Sequence, residues 1–236
     1  MKSRNFKVNN KRTMFRIFLD FFANLFFTYC FIAGVALILF SSVTIECEVI
    51  GSSMLPNFNN YPNSSHAHDV VYVNTCDKNF SYSDIVVCNT GDDAIIKRVI
   101  GITGDTIDIV WDEYEYKLEL NGKIIEEDYI KLSIDPRDPV ISRNGMDRTY
   151  EKFQDLKVSK PELFNEFGQL VVPVNSVFVL GDNRHVSVDS STLGTFNMDQ
   201  ISGKVELVKY HGTTDVAFYW SYIVEGKFIT TLINIF

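Results

Sequence analysis

The chain has 236 residues, 46% of them hydrophobic and 22% charged, with a formal net charge of −8 at neutral pH. Once an apolar N-terminal stretch is set aside, that length suits one compact domain with a sizeable core. Six basic residues against the single acid Asp20 leave residues 1–20 at +5 and the other residues at −13, which excludes a nucleic-acid surface outside the tail.

Lys2, Arg4, Lys7, Lys11, Arg12 and Arg16 make residues 1–20 a basic cytoplasmic tail, because the positive flank of a membrane span stays in the cytoplasm. The same charges suit contact with anionic lipid. From Phe21 to Ile45 the chain carries no charge. A helix of that run, at ~1.5 Å per residue, reaches ~37 Å and crosses a ~30 Å hydrocarbon layer with some tilt. A cleavable signal peptide has a shorter apolar core, ~7–15 residues, followed by a small-x-small site. Ser41 to Glu48 offers no such site, so residues 21–45 are expected to form an uncleaved, single-span anchor with the rest of the chain outside the cytoplasm.

Beyond the anchor the apolar pattern turns short and strand-like. Asp69–Val73, Asp84–Cys88, Thr106–Val110 and Tyr116–Leu120 are rich in β-branched residues and partly alternate, which predicts an antiparallel β domain. Asn121-Gly122, between Leu118-Glu119-Leu120 and Lys123-Ile124-Ile125, predicts a hairpin. A first part of this domain thus runs over residues 46–125. Strands expected at Leu170–Val172, Ser176–Leu180 and Lys204–Val208 give a second part, residues 169–215. Between them, residues 126–168 are polar, hold Pro136, Pro139 and Pro161, and include a helix-compatible stretch at Thr149–Leu156. They read as an inserted cap or irregular subdomain. Residues 216–236 are apolar but broken by Glu225 and Lys227, too short a run for a second span.

Cys30 falls in the anchor and Cys47, Cys76 and Cys88 beyond it, an odd count. Cys76 and Cys88 flank a turn-like segment and are candidates to face each other across paired strands, which spacing alone does not decide. His66 and His68 lie in a polar loop and read as solvated rather than metal-binding.

The candidate chemistry begins at Ser53, in Gly51-Ser52-Ser53-Met54-Leu55-Pro56. A serine hydroxyl is a poor nucleophile until a base takes its proton, and none of the four histidines has the sequence context of a Ser-His-Asp triad. Lys97 is the better base. A free lysine, with a pKa of ~10.4, is charged at neutral pH, so it acts as a base only where apolar surroundings disfavour the ammonium. Ile95, Ile96, Val99 and Ile100 offer such surroundings, and strand alternation puts Lys97 on the face of Ile95 and Val99. Eight residues separate Ile45 from Ser53 and span at most ~28 Å, so the serine is expected close to the membrane. Val49, Ile50, Leu55 and Phe58 around it, with Met54, suit either an apolar interfacial surface or the β core.

A third segment, Gly181-Asp182-Asn183-Arg184-His185-Val186-Ser187-Val188-Asp189-Ser190, follows an apolar strand and by itself reads as a turn. In order with Ser53-Met54-Leu55-Pro56 and Ile95–Asp105, it closely resembles the type I signal peptidase family, from the basic tail to about Tyr210. The resemblance implies a mainly β, antiparallel catalytic domain behind an N-terminal transmembrane helix in the cell membrane. It also implies a serine endopeptidase that removes signal peptides from exported precursors, cutting after small residues and needing no cofactor or metal. Its partners would be secretory precursors and the lipid bilayer, with no nucleic acid, and the enzyme is expected as a monomer.

By the same resemblance Ser53 is the nucleophile, Lys97 the general base, and Ser187 the serine that orients the lysine amine. Arg98 and Asp182 form a supporting salt bridge. The Ser53 backbone N–H is one oxyanion donor, while Gly51 stands where some members carry a donor serine. Two positions depart from the pattern: Asn57 replaces the threonine after the proline, and Ser191 replaces an arginine after Asp189-Ser190. The second leaves Asp189 without its expected partner, and Arg184 is a candidate replacement. Alternatives are a peptidase of the same fold dedicated to one secretion or conjugation system, or a membrane-anchored binding protein whose site has decayed.

Overall fold

The computed structural model describes residues 10–59, 68–130, 145–211 and 216–218. His66, Pro136, Pro139 and the segment 219–236 therefore lie outside the described residues. Two compact units divide the chain at Thr44. The first is a helix, α1, over Asn10–Val43, of which Met14–Ile38 is long and apolar enough to cross a membrane. It starts well before Phe21, because Lys11, Arg12 and Arg16 are good helix formers and their charge limits burial in lipid, not helicity.

The second unit is mainly β. Its strands are β1 (Thr44–Glu48), β2 (Val70–Asn74), β3 (Ile85–Asn89), β4 (Ala94–Ile102), β5 (Thr106–Asp112), β6 (Glu115–Leu120) and β7 (Lys123–Ile124). After helix α2 (Met146–Ser159) come β8 (Leu170–Val171), β9 (Ser176–Leu180), the single-turn α3 (Ser190–Leu193), β10 (Phe196–Asn197), β11 (Ile201–Lys209) and β12 (Val216–Phe218). The larger sheet runs β1-β2-β11-β3-β4-β9-β10 with β12 on β11, and the smaller β7-β6-β5-β8. All registers described are antiparallel, as the alternation in the sequence predicts. The Asn121-Gly122 turn joins β6 to β7 with both residues at positive φ, 53° and 75°, the type I′ geometry for which Asn-Gly is suited.

The stretch 126–168, expected as a cap or irregular subdomain, contributes α2 to a shared core. Met146, Phe153 and Leu156 of α2 pack with Ile107, Ile109, Leu118 and Leu170 of the small sheet and with Ile100, Phe178 and Leu180 of the large one. This cluster joins the two sheets and holds the C-terminal end of β9, from which the Gly181–Ser187 loop departs.

The two cysteines do not face each other. Cys88 is buried in β3, opposite Ile95 of β4, while Cys76 is exposed in the loop after β2, and both thiols are free. Burial pushes the Cys88 thiol up to about 12, so it stays protonated at neutral pH.

Candidate active site

Lys97 and Arg98 lie side by side in β4, and each is only 2% exposed. Side chains alternate along a strand, so the two point to opposite faces. Lys97 shares its face with Ile95 and Val99, which pack with Val86, Cys88 and Val179. Of the apolar neighbours expected around it, Ile96 packs in a second cluster with Val49, Met54 and Phe58. Ile100, three residues on and so on the opposite face of the strand, joins the α2 core.

The Lys97 Nζ lies 2.8 Å from the Ser53 Oγ and donates to the Ile96 carbonyl at 2.7 Å. No carboxylate pairs with this amine in the described geometry. Burial therefore lowers the Lys97 pKa from its ordinary value, against the opposing pull of Asp189 first, then Cys88 and Asp182.

The serine loop is anchored from both sides. Met54 and Phe58 are buried in the core with Val49, which leaves Ile50 exposed and Leu55 half-buried. Ser53 itself is half-buried, and Gly51 is exposed with a φ of 90°. From the opposite side, the Asn183 N–H donates to the Ser53 carbonyl and the Asn183 Nδ2 to the Ser52 carbonyl, each at 3.0 Å.

Gly181 makes this approach possible. A Cβ there would collide with the Ser187 side chain and sit 2.6 Å from the Ser53 carbonyl oxygen, so only a glycine lets the two loops close. The Ser187 hydroxyl is fully buried in this junction and, among the described residues, has no hydrogen-bond partner.

Arg98 points to the other face and meets Asp182 in a two-pronged ion pair, Nε to Oδ1 at 2.7 Å and Nη2 to Oδ2 at 2.6 Å. Its Nη1 donates to the Ser83 carbonyl at 3.0 Å, and its guanidinium stacks 4.0 Å over the Tyr129 ring. Both ions are buried and well matched, the condition under which such a pair holds a structure together.

The two departures from the family pattern each carry a contact. Asn57 donates through Nδ2 to Asp182 Oδ2 at 2.7 Å and to the Tyr129 carbonyl at 2.8 Å, so it braces the ion pair. Ser191 supplies Asp189 with its hydroxyl at 2.7 Å and its N–H at 3.1 Å, while the Gly181 N–H fills the other carboxylate oxygen at 2.9 Å. Arg184 is not the replacement partner. It is buried against Glu127, with Nη1 to Oε2 at 3.0 Å, and its Nε donates to the Gly181 carbonyl at 3.0 Å.

The structure thus gathers Ser53, Lys97, Arg98, Asp182 and Ser187 around one junction. Asn57, Gly181, Glu127 and Tyr129 complete it and were not singled out as site residues from the sequence. Glu127 and Tyr129 lie in a polar stretch with no motif, so nothing in the sequence marks them.

The family model for signal peptidase, peptidase S26, matches residues 22–210. The chain belongs to this family. Signal peptidase I S of Bacillus subtilis (strain 168) is 32% identical over 179 residues, covering 74% of this chain and 82% of the relative. Signal peptidase I of Bacillus amyloliquefaciens is 30% identical, covering 68% and 72% respectively. Signal peptidase I P of Bacillus subtilis subsp. natto is 36% identical over a shorter stretch, 55% of this chain and 59% of the relative. The family is one of serine endopeptidases, and the antiparallel β unit behind an apolar N-terminal helix is the architecture that the sequence resemblance implied.

Proposed function

We propose that the protein is a membrane-anchored endopeptidase that removes signal peptides from exported precursors, with Ser53 as nucleophile and Lys97 as general base. The observation that carries this reading is the 2.8 Å contact between the Lys97 amine and the Ser53 hydroxyl, formed by a buried lysine that has no carboxylate partner among the described residues. A neutral Lys97 accepts the Ser53 proton as the oxygen attacks the scissile carbonyl. The resulting ammonium then gives that proton to the leaving amine, and the acyl group stays on Ser53. In the second half the amine draws a proton from water as it attacks the ester carbonyl, and the ammonium returns that proton to the departing Ser53 oxygen, which restores the free serine and the neutral lysine. The Ile96 carbonyl, at 2.7 Å, fixes the direction of the amine throughout.

Ser187 is the orienting partner in this reading. Its hydroxyl is buried and, among the described residues, has no hydrogen-bond partner, so a bond to the amine would satisfy it. The Ser53 N–H is one oxyanion donor, with the exposed Gly51 region open as the source of a second. Arg98 and Asp182 support the site from beneath. The chemistry uses no cofactor. The basic tail puts the N-terminus in the cytoplasm, α1 spans the membrane once, and the catalytic unit works as a monomer on the outer side, where precursors emerge after translocation. A preference for small residues before the cut is part of the same family reading.

Purified protein in detergent, given a precursor that carries its signal peptide, should release a mature product whose new N-terminus follows a small residue. Ser53→Ala and Lys97→Ala should not. Cleavage by either variant, once shown to be folded, rejects the dyad.

A further inference from the structure

Helix α2 carries Lys152 and Lys157, with Lys160 just past its end, and each ammonium donates to a backbone carbonyl of another segment. Lys157 reaches Gly168 at 3.1 Å and Lys160 reaches Leu193 at 2.7 Å. Lys152 instead reaches the carbonyl of Ser187, at 2.7 Å. That bond ends on the residue whose hydroxyl lies buried against Gly181, next to the Ser53 carbonyl.

The same loop is held again at its other end. Arg184 is buried between Glu127 and the Met146 sulfur of α2, the latter at 2.8 Å. Gly145, at the start of α2, lies against the His185 backbone with no room for a Cβ. Beside the Arg98–Asp182 pair and the Asn183 bonds, the loop is thus held by α2 and by Glu127, neither of which belongs to the sequence motifs.

We infer that Lys152 is a positioning residue for the reaction: by holding the Ser187 carbonyl it fixes the Ser187 hydroxyl against the Ser53 loop. This rests on the Ser53–Lys97 reading above. The bond is made to the main chain of Ser187 itself, so its loss leaves that residue tethered through its own N–H, which donates to the Asn183 carbonyl at 3.1 Å, while the core under α2, built from Met146, Phe153 and Leu156, stays packed. Displacing a catalytic group by about 1 Å costs on the order of 10²-fold in rate, and loosening one of two tethers should cost less, about tenfold.

The test compares Lys152→Met, Lys152→Arg and Lys157→Met in steady-state cleavage of a signal-bearing precursor by the full chain in detergent, with the unfolding midpoint of each. Lys152→Met should lower kcat about tenfold with KM unchanged. Lys152→Arg, which keeps a cationic donor, should recover most of the loss, and Lys157→Met should cleave like the parent. Lys152→Gln serves if the Met variant does not fold. The inference is overturned if Lys152→Met keeps the parental kcat, if Lys152→Arg is as slow as Lys152→Met, or if Lys157→Met is equally slow. Ser53→Ala run beside them separates the two claims. Cleavage by Ser53→Ala overturns the dyad, whereas an inert Ser53→Ala with a fully active Lys152→Met overturns the positioning role alone.

Discussion

Lys97 and Arg98 are chain neighbours in one strand, both basic and equally buried, yet they end in opposite surroundings. Arg98 meets the Asp182 carboxylate through two hydrogen bonds, with Ser83 and the Tyr129 ring around it. Among the described residues Lys97 meets only a hydroxyl and a carbonyl at hydrogen-bonding distance, so desolvation outweighs the opposing pull of Asp189, Cys88 and Asp182 and lowers its pKa. Burial with a counter-ion makes a structural strut, and burial without one among the described residues favours the neutral amine that the proposed base requires. One alternation of a strand separates the two outcomes.

The hardest way to break the Lys97 side is to remove a reacting group. Ser53→Ala and Lys97→Ala should each reduce kcat by about 10⁴-fold or more, and the double variant should be little worse than either, because groups that act as a unit are not additive. Rates measured by single-turnover cleavage decide this, and additive losses would mean that the two do not work together.

On the Arg98 side the damage should appear in stability. Asp182→Ala leaves a buried guanidinium without its counter-ion and should cost about 3–5 kcal/mol, read from denaturant unfolding. A fully stable Asp182→Ala with intact cleavage would remove the strut.

The contrast sharpens with pH. Because the Lys97 pKa is lowered on folding, the unfolded chain binds the extra proton between the two values, and stability rises with pH across that window. Lys97→Met should therefore stabilise the fold, with the full gain below the folded pKa and none above the ordinary lysine value of ~10.4. Cleavage by the parent should rise with pH through the lowered pKa and then level off, since the neutral amine is the reactive form. A flat profile with chemistry rate-limiting would exclude the lysine base.

The smallest effect is expected at Asn57. Asn57→Ala deletes two bonds to the strut and should cost about 1–3 kcal/mol, with a lesser loss of activity. Unchanged unfolding in Asn57→Ala would show that the ion pair needs no brace.

The sequence by itself determined most of the elements and the candidate site residues. Period-two alternation of Val and Ile marks strands because one face must be buried, Asn121-Gly122 marks its turn because both residues tolerate positive φ, and the long apolar run marks α1 because nothing in it resists lipid. Ser53, Lys97, Arg98, Asp182 and Ser187 were legible because their types recur in a fixed order along the chain. What only the tertiary structure decided is who satisfies whom. Asn57 finds Asp182 at a separation of 125 residues, Glu127 finds Arg184 at 57, and Lys152 finds Ser187 at 35. Ser191 and the Gly181 N–H, rather than Arg184, complete Asp189. Such pairings leave no periodic trace, because a buried polar group needs a partner of the right chemistry at about 3 Å and any part of the chain that the fold brings there can supply it.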